Sequence, residues 1–263
     1  MTTPTRPPDA TLVERRTYRV EDASIPLFVA RPAKPVKATV IMLGAIWSVT
    51  RHIENLCERL AAAGIAAIAP CLFRGEGIPP LDASPDLLAE TFLAFDDRRC
   101  TRDLKALVAL ADAGGLGFEP GALMPWGFCL GGRFAHNLAA VTTQVAGIVN
   151  FYGRVRFARQ PIKPFLPIEL AGLIQVPYLG HFAETDALIP PADVADLKAA
   201  LEEHGVPHAI EVYPGTKHSF FDPTRAAEHH AEAAAQAWTR SIAFIEAVAR
   251  DRASAQRSAK EAS

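Results

Sequence analysis

The chain is short of net charge, of cysteine and of long apolar runs, and each shortage closes off a class of function. Its 27 Lys and Arg against 29 Asp and Glu leave a formal net charge of −2, with no basic run. A phosphate backbone would find no electrostatic footprint here, and no nucleic-acid motif is present, so no nucleic-acid partner is expected. No apolar stretch reaches the ~18 residues that span a bilayer, so no membrane partner is expected either. Residues 1–8 lack the apolar core of an export signal. Only four cysteines occur, Cys57, Cys71, Cys100 and Cys129, without the spacing of zinc sites or redox pairs. They read as reduced thiols in a cytoplasmic protein. His229 and His230 are adjacent, so on a helix their side chains diverge by ~100° and share an ion poorly. A helical His-x-x-x-His motif is absent. No metal and no organic cofactor are expected.

What is present is a large apolar fraction, 49% of 263 residues, enough for a substantial core. Residues 17–20 and 25–30 alternate apolar and polar positions and predict an antiparallel hairpin. Residues 38–43 and 65–69 are continuous apolar runs, as in strands buried on both faces. Between them Ile53, Leu56, Cys57 and Leu60 trace a helical stripe that ends at Gly64. A long helical region is predicted over 86–112, and further strands over 146–151, 178–183 and 209–213. Pro190 and Pro191 open a helix carrying Val194, Leu197 and Leu201, closed by Gly205. Trp238, Ile242 and Ile245 share one face of a last helix. This alternation predicts an α/β fold with a mostly parallel central sheet, helices on both faces and an N-terminal antiparallel hairpin. One domain is expected over 17–250, with 1–16 and 251–263 as flexible tails.

The chemistry concentrates at Trp126-Gly127-Phe128-Cys129-Leu130-Gly131-Gly132. Residues 122–127 read as a strand, and Phe134, Leu138 and Val141 behind two glycines read as a helix. Strand, sharp turn and helix make the nucleophile elbow usually written G-x-S-x-G, here with cysteine. Glycines suit it because strand and helix approach too closely for a Cβ. The helix N-terminus favours a thiolate. Outside that context Cys129 would read as a small buried residue.

A nucleophilic cysteine needs a base, and the base needs an orienting group. In such folds they follow in the order nucleophile, acid, histidine, on loops after late strands. Residues 178–183 lead to Asp186, and 209–213 lead to His218. Glu184 is the rival acid; Asp186 is preferred because it lies beyond the strand. Taken singly, Asp186 also reads as a helix cap and His218 as a surface-loop histidine. Carboxyl ends of parallel strands converge at one rim, where all three can meet.

Gly-Phe-Cys-Leu-Gly-Gly at 127–132, Asp186 followed by Ile189-Pro190, and His218-Ser219-Phe220 together resemble the dienelactone hydrolase family of α/β hydrolases, over about residues 17–250. The resemblance implies the α/β-hydrolase fold, with Cys129 as nucleophile, His218 as base and Asp186 as its orienter. Gly44-Ala45-Ile46-Trp47 resembles the family's segment after the third strand, so the backbone N–H groups of Ile46 and Leu130 are the implied oxyanion hole. The family usually carries a glutamate where Ala45 stands. A standing Cys129–His218 ion pair is expected to activate the thiol in its place.

The family's usual substrate is an unsaturated lactone whose carboxylate is held by arginines. The arginine often found just after the histidine motif is not evident, since Phe221 leads to Asp222. Arg98, Arg99, Arg102 and Arg225 are the substitutes considered, each also readable as a solvated side chain. Pocket walls are expected from residues 72–86 and 154–171. The implied function is cofactor-free opening of a small ester or lactone through a thioester acyl-enzyme, by a monomer or weak homo-oligomer. Two other readings stay open: a non-catalytic small-molecule binder of the same fold, and an acyltransferase using the same triad.

Overall fold

The structure, a computed structural model, describes residues 11–261. Eight strands form one sheet: β1 (Thr11–Val20), β2 (Ala23–Pro32), β3 (Ala38–Leu43), β4 (Ala66–Pro70), β5 (Ala122–Phe128), β6 (Ile148–Phe151), β7 (Tyr178–Ala183) and β8 (His208–Tyr213). Their spatial order is β1-β2-β4-β3-β5-β6-β7-β8. The pairs β1/β2 and β2/β4 are antiparallel, and every pairing from β4 onward is parallel. Strands β3, β4, β5, β6 and β7 are buried at every position, which explains their unbroken apolar runs.

Seven helices join these strands: α1 (Arg51–Ala62), α2 (Pro85–Ala94), α3 (Asp97–Asp112), α4 (Leu130–Val141), the short α5 (Pro167–Leu170), α6 (Pro191–Glu203) and α7 (Ala231–Glu261). Helices α1 and α7 cover one face, joined where the Arg59 guanidinium stacks 3.9 Å from the Trp238 ring centroid. The other face is covered by α3, α4, α5 and α6. Trp126 of β5 ties the α7 side to the sheet, stacked on Phe151 at 5.6 Å and tilted against Trp238 at 5.5 Å.

Three expectations change. The hairpin starts at Thr11, so residues 11–16 are strand and not tail; Thr11 pairs with Pro32 and Arg16 with Leu27. The alternation there is hidden by charge, because Arg15 lies over Phe28 and pairs with Glu54. Residues 1–10 of that tail lie outside the described residues. The 86–112 helix is two helices, broken where Phe95 turns extended and buries its ring and Asp96 caps α3 by accepting from the Arg99 N–H. At the other end, residues 251–261 continue α7. That segment lacks an apolar face but is rich in Ala, Arg, Lys and Glu, residues of high helix propensity.

The elbow depends on missing Cβ atoms. A Cβ on Gly127 would sit 2.0 Å from the Gly131 carbonyl oxygen, and one on Gly131 would sit 2.0 Å from that of Leu43. Backbones of β3, β5 and α4 thus touch directly. Replacing Gly131 by Ala is expected to cost about 3 kcal/mol or more in urea unfolding, since backbone on both sides must move. Gly64→Ala, with φ of 85° but nothing within 4 Å of the new Cβ, should cost only about 1 kcal/mol. Equal losses would show that contact, as opposed to backbone strain, is not what holds the elbow.

Candidate active site

Cys129 occupies the N-cap of α4 with φ 53° and ψ −110°, a conformation that few non-glycine residues adopt. Its N–H donates to the Phe151 carbonyl (2.9 Å), and its carbonyl accepts from Arg133 (3.0 Å), so the turn is pinned to β6 on one side and to α4 on the other. The half-buried sulfur therefore stands proud of the sheet rim at a helix N-terminus. The strain is held by its surroundings, as is usual at reactive turns.

His218 and Asp186 arrive on the loops after β8 and β7. Those loops are stitched together: the Thr185 N–H and hydroxyl both donate to the Thr216 carbonyl, at 3.0 and 2.7 Å. Asp186 is buried, and its Oδ1 accepts from the N–H groups of Leu188 (2.8 Å) and Ile189 (3.2 Å). Its Oδ2 lies 2.6 Å from His218 Nδ1. Glu184 is turned away and accepts from the Gly215 N–H, so the two carboxylates have separate partners. Asp186 caps no helix, because the N-cap of α6 is Pro190.

His218 Nε2 is buried and, the Cys129 sulfur apart, has no hydrogen-bond partner among the described residues. Burial alone would lower the imidazolium pKa, but the Cys129 charge and Asp186 push it up to about 10. Burial would likewise raise the Cys129 thiol; the His218 charge and the Leu130 N–H outweigh it and bring the thiol below its ordinary value. Each partner thus favours the charged form of the other, as in an ion pair. By contrast Cys57 is pushed up by burial in the α1 core.

Ile46 and Leu130 line the same cavity as Cys129 and His218. Ile46 sits in a tight turn after β3, closed by the Ser48 N–H donating to the Ala45 carbonyl (2.7 Å). Next to Ala45 lies a separate cavity of about 20 Å³ lined by Ser48, His52, Tyr152 and Asp222 among others. Asp222 faces His52 there, at 4.0 Å, and is absent from the lining of the main cavity.

The main cavity, about 480 Å³, is roofed by Leu88 and Phe92 of α2 and flanked by Trp47 and Phe157. Of the first segment expected as a wall, only Pro85 reaches it. None of the four arginines considered from sequence lines it. Arg98 is exposed, Arg99 donates to the Leu72 carbonyl, Arg102 faces Glu21, and Arg225 stacks on Trp47 at 3.7 Å. The lining arginines are Arg133 and Arg154; Arg154 opens the second segment expected as a wall, and neither was among the arginines considered. Both carried a signal: Arg133 follows Cys129 by one helical turn, and Arg154 lies just past the carboxyl end of β6. Among the described residues no helix is long and apolar enough to cross a membrane.

Three comparisons bear on this site. A family model described as the dienelactone hydrolase family matches residues 25–249. A protein of Escherichia coli (strain K12) named "Putative carboxymethylenebutenolidase" is 30% identical over 243 residues, 91% of this chain and 88% of its own length. A Salmonella typhi protein of the same name is 33% identical over 227 residues, 84% of this chain and 82% of its own. The crystal structure titled as a putative dienelactone hydrolase from Klebsiella pneumoniae subsp. pneumoniae superposes with a TM-score of 0.83 at 30% identity, covering 90% of this chain and 99% of that one.

The pKa directions have a direct readout. Ultraviolet titration should show thiolate absorbance persisting below the ordinary thiol range of about 8.5 and vanishing only as pH falls through the depressed Cys129 value. His218→Gln should move that midpoint upward, and Cys129→Ser should abolish the transition. An ordinary midpoint unaffected by His218→Gln would overturn the ion pair.

Proposed function

The chain belongs to the dienelactone hydrolase family of hydrolases, and we propose that it opens a small ester or lactone through a thioester on Cys129, with His218 as base and Asp186 as its orienter. The observation that carries this reading is the charged coupling at the rim: a depressed thiol beside an imidazole whose far nitrogen lies 2.6 Å from a buried carboxylate. In the first half-reaction the Cys129 sulfur bonds to the scissile carbonyl carbon, and the carbonyl electron pair moves onto oxygen. The N–H groups of Ile46 and Leu130 are the donors for that oxyanion, each worth roughly 2.7–4 kcal/mol if well aimed. Collapse breaks the ester C–O bond, and the protonated His218 gives its proton to the departing alkoxide.

Water then attacks the thioester. His218 Nε2 takes its proton, the tetrahedral state collapses, and sulfur leaves as the thiolate with release of the carboxylic acid. Asp186 keeps Nδ1 protonated, so the free lone pair in the neutral ring is on Nε2, the nitrogen without another partner. Ala45 supplies no carboxylate, so favouring the thiolate falls to the His218 charge and the Leu130 N–H, both of which lower the Cys129 thiol against the cost of burial.

p-Nitrophenyl acetate is the test substrate. Wild type should turn it over; Cys129→Ala should lose activity to background, and Asp186→Asn should fall by about 10³–10⁴-fold in kcat as the imidazole loses its tautomer. Rapid mixing should show an initial burst of p-nitrophenol if deacylation is the slower step. Retention of full activity in Cys129→Ala would reject the covalent route.

A further inference from the structure

Resting on the hydrolase reading above, we propose that Trp47 and Arg225 are positioning residues for the oxyanion hole. The Arg225 guanidinium, stacked on the Trp47 ring, fixes the turn that carries the Ile46 N–H relative to the loop that carries His218. The guanidinium carbon lies 3.7 Å from the ring centroid. Arg225 Nη2 is buried without a hydrogen-bond partner, so the cation is spent on the ring, an attraction that strengthens as water is excluded. Arg225 does not line the main cavity, and its effect on the reaction passes through Trp47, which does.

The turn leaves the aim of its donor to be set from outside. In a trans peptide the C=O and N–H point opposite ways. The Ala45 carbonyl accepts from the Ser48 N–H at 2.7 Å, so the Ile46 N–H of the same peptide faces out of the turn. Where it points then depends on how residues 45–48 are seated as a unit. The buried Ile46 side chain seats one side. On the other, Ser48, at φ 57°, accepts the Leu72 N–H on its Oγ at 2.9 Å, and Trp47 donates its indole N–H to the Pro80 carbonyl at 3.0 Å. Both of those ties run to the segment between β4 and α2, which belongs to neither strand nor helix. The Arg225 stack ties the same turn to the loop of the base.

That loop is a firm post. The Arg225 N–H donates to the Asp222 carbonyl at 3.1 Å, and the Arg225 carbonyl accepts from the N–H groups of Glu228 (3.0 Å) and His229 (2.8 Å). The Phe220 carbonyl accepts from the His230 N–H at 2.9 Å and lies 3.1 Å from His229 Nδ1. The Phe220 ring, two residues beyond His218, is fully buried. One side-chain stack thus holds the oxyanion donor in register with the base. Such a donor works only where it meets the charge as it forms, so a small tilt of the turn costs rate more than binding.

The test sets oxygen against sulfur at the reacting carbonyl. p-Nitrophenyl acetate would be compared with its thionoester, whose sulfur accepts the hole's hydrogen bonds poorly. Arg225→Met should lower kcat on the oxoester about tenfold with KM little changed, short of the roughly 10²–10³-fold that losing a donor outright costs. The thionoester should lose much less, so the ratio of the two falls. Iodoacetamide alkylation of Cys129 forms no oxyanion and should keep its wild-type rate and pH dependence. Trp47→Leu should reproduce the loss, with no further loss in the double variant. Trp47→Phe, which keeps a ring under the guanidinium, should retain most of the ratio. An unchanged ratio in Arg225→Met, a Trp47→Phe as impaired as Trp47→Leu, or alkylation slowed in parallel with hydrolysis overturns the clasp. Wild type inert toward both esters would overturn the hydrolase reading instead. The clasp is then read from phenylacetaldehyde, whose carbonyl carbon bonds to the Cys129 sulfur as the carbonyl electron pair moves onto oxygen. Addition about tenfold weaker in Arg225→Met supports the clasp, and equal or no addition overturns it.

Discussion

The contact on which the site depends is between backbones, where the Leu43 carbonyl, Gly127 and Gly131 meet with no side chain between them. It brings the backbones of β3, β5 and the start of α4 too close for a Cβ to fit between them, and the residue between the glycines takes a strained turn. A helix N-terminus arriving at a strand end in this way delivers one side chain, its own unpaired N–H groups and the turn after β3 to a single point. The covalent chemistry proposed here needs those three things together. The rest of the sheet supplies rigidity: β3, β5 and β6 are buried along their whole length, so the rim cannot shift without disturbing the core.

Around that point the protein keeps two groups of charge in an otherwise apolar cavity. One is Cys129, His218 and Asp186, where the thiol and the imidazole are each shifted toward the charged form; the other is the pair Arg133 and Arg154. They are linked along α4, since the N–H of Arg133 bonds the Cys129 carbonyl while its guanidinium reaches Asp97 at the start of α3. A buried cation one turn below a thiolate favours the charged sulfur, in the same sense as the helix dipole.

Much of the elbow was legible because it is local. Gly127, Cys129, Gly131 and Gly132 stand within six residues, and a steric rule dictates the glycines; the loops carrying Asp186 and His218 follow from strands whose apolar runs are unmistakable. Choosing Asp186 over Glu184 rested on position past the strand, and the geometry gives each acid a different partner. What stayed hidden was set by tertiary pairing. Residues 11–16 become a strand only because β2 lies alongside, and Arg133 lines the cavity only because α2 and Phe157 enclose it. The break at Phe95 had a signal in Asp96 and Asp97, adjacent acids suited to a helix start, but the periodicity ran straight through it. At the C-terminus, helix propensity without an apolar face was mistaken for looseness.

Ala45 shows how a missing group redistributes work. A carboxylate there would serve to take the thiol proton, a task that exists only if the resting sulfur is protonated. Here the His218 charge and the Leu130 N–H lower the thiol against the cost of burial, a shift in the same sense as the one a carboxylate acting as base would serve. The consequence falls elsewhere. A thiol of lowered pKa leaves more readily, which would ease deacylation in the proposed reaction, but its thiolate is also a weaker nucleophile per ion and open to oxidation. Leu88 and Phe92 of α2 and Phe157 line the cavity that holds this sulfur, so the apolar side chains that would shape a substrate also surround the nucleophile.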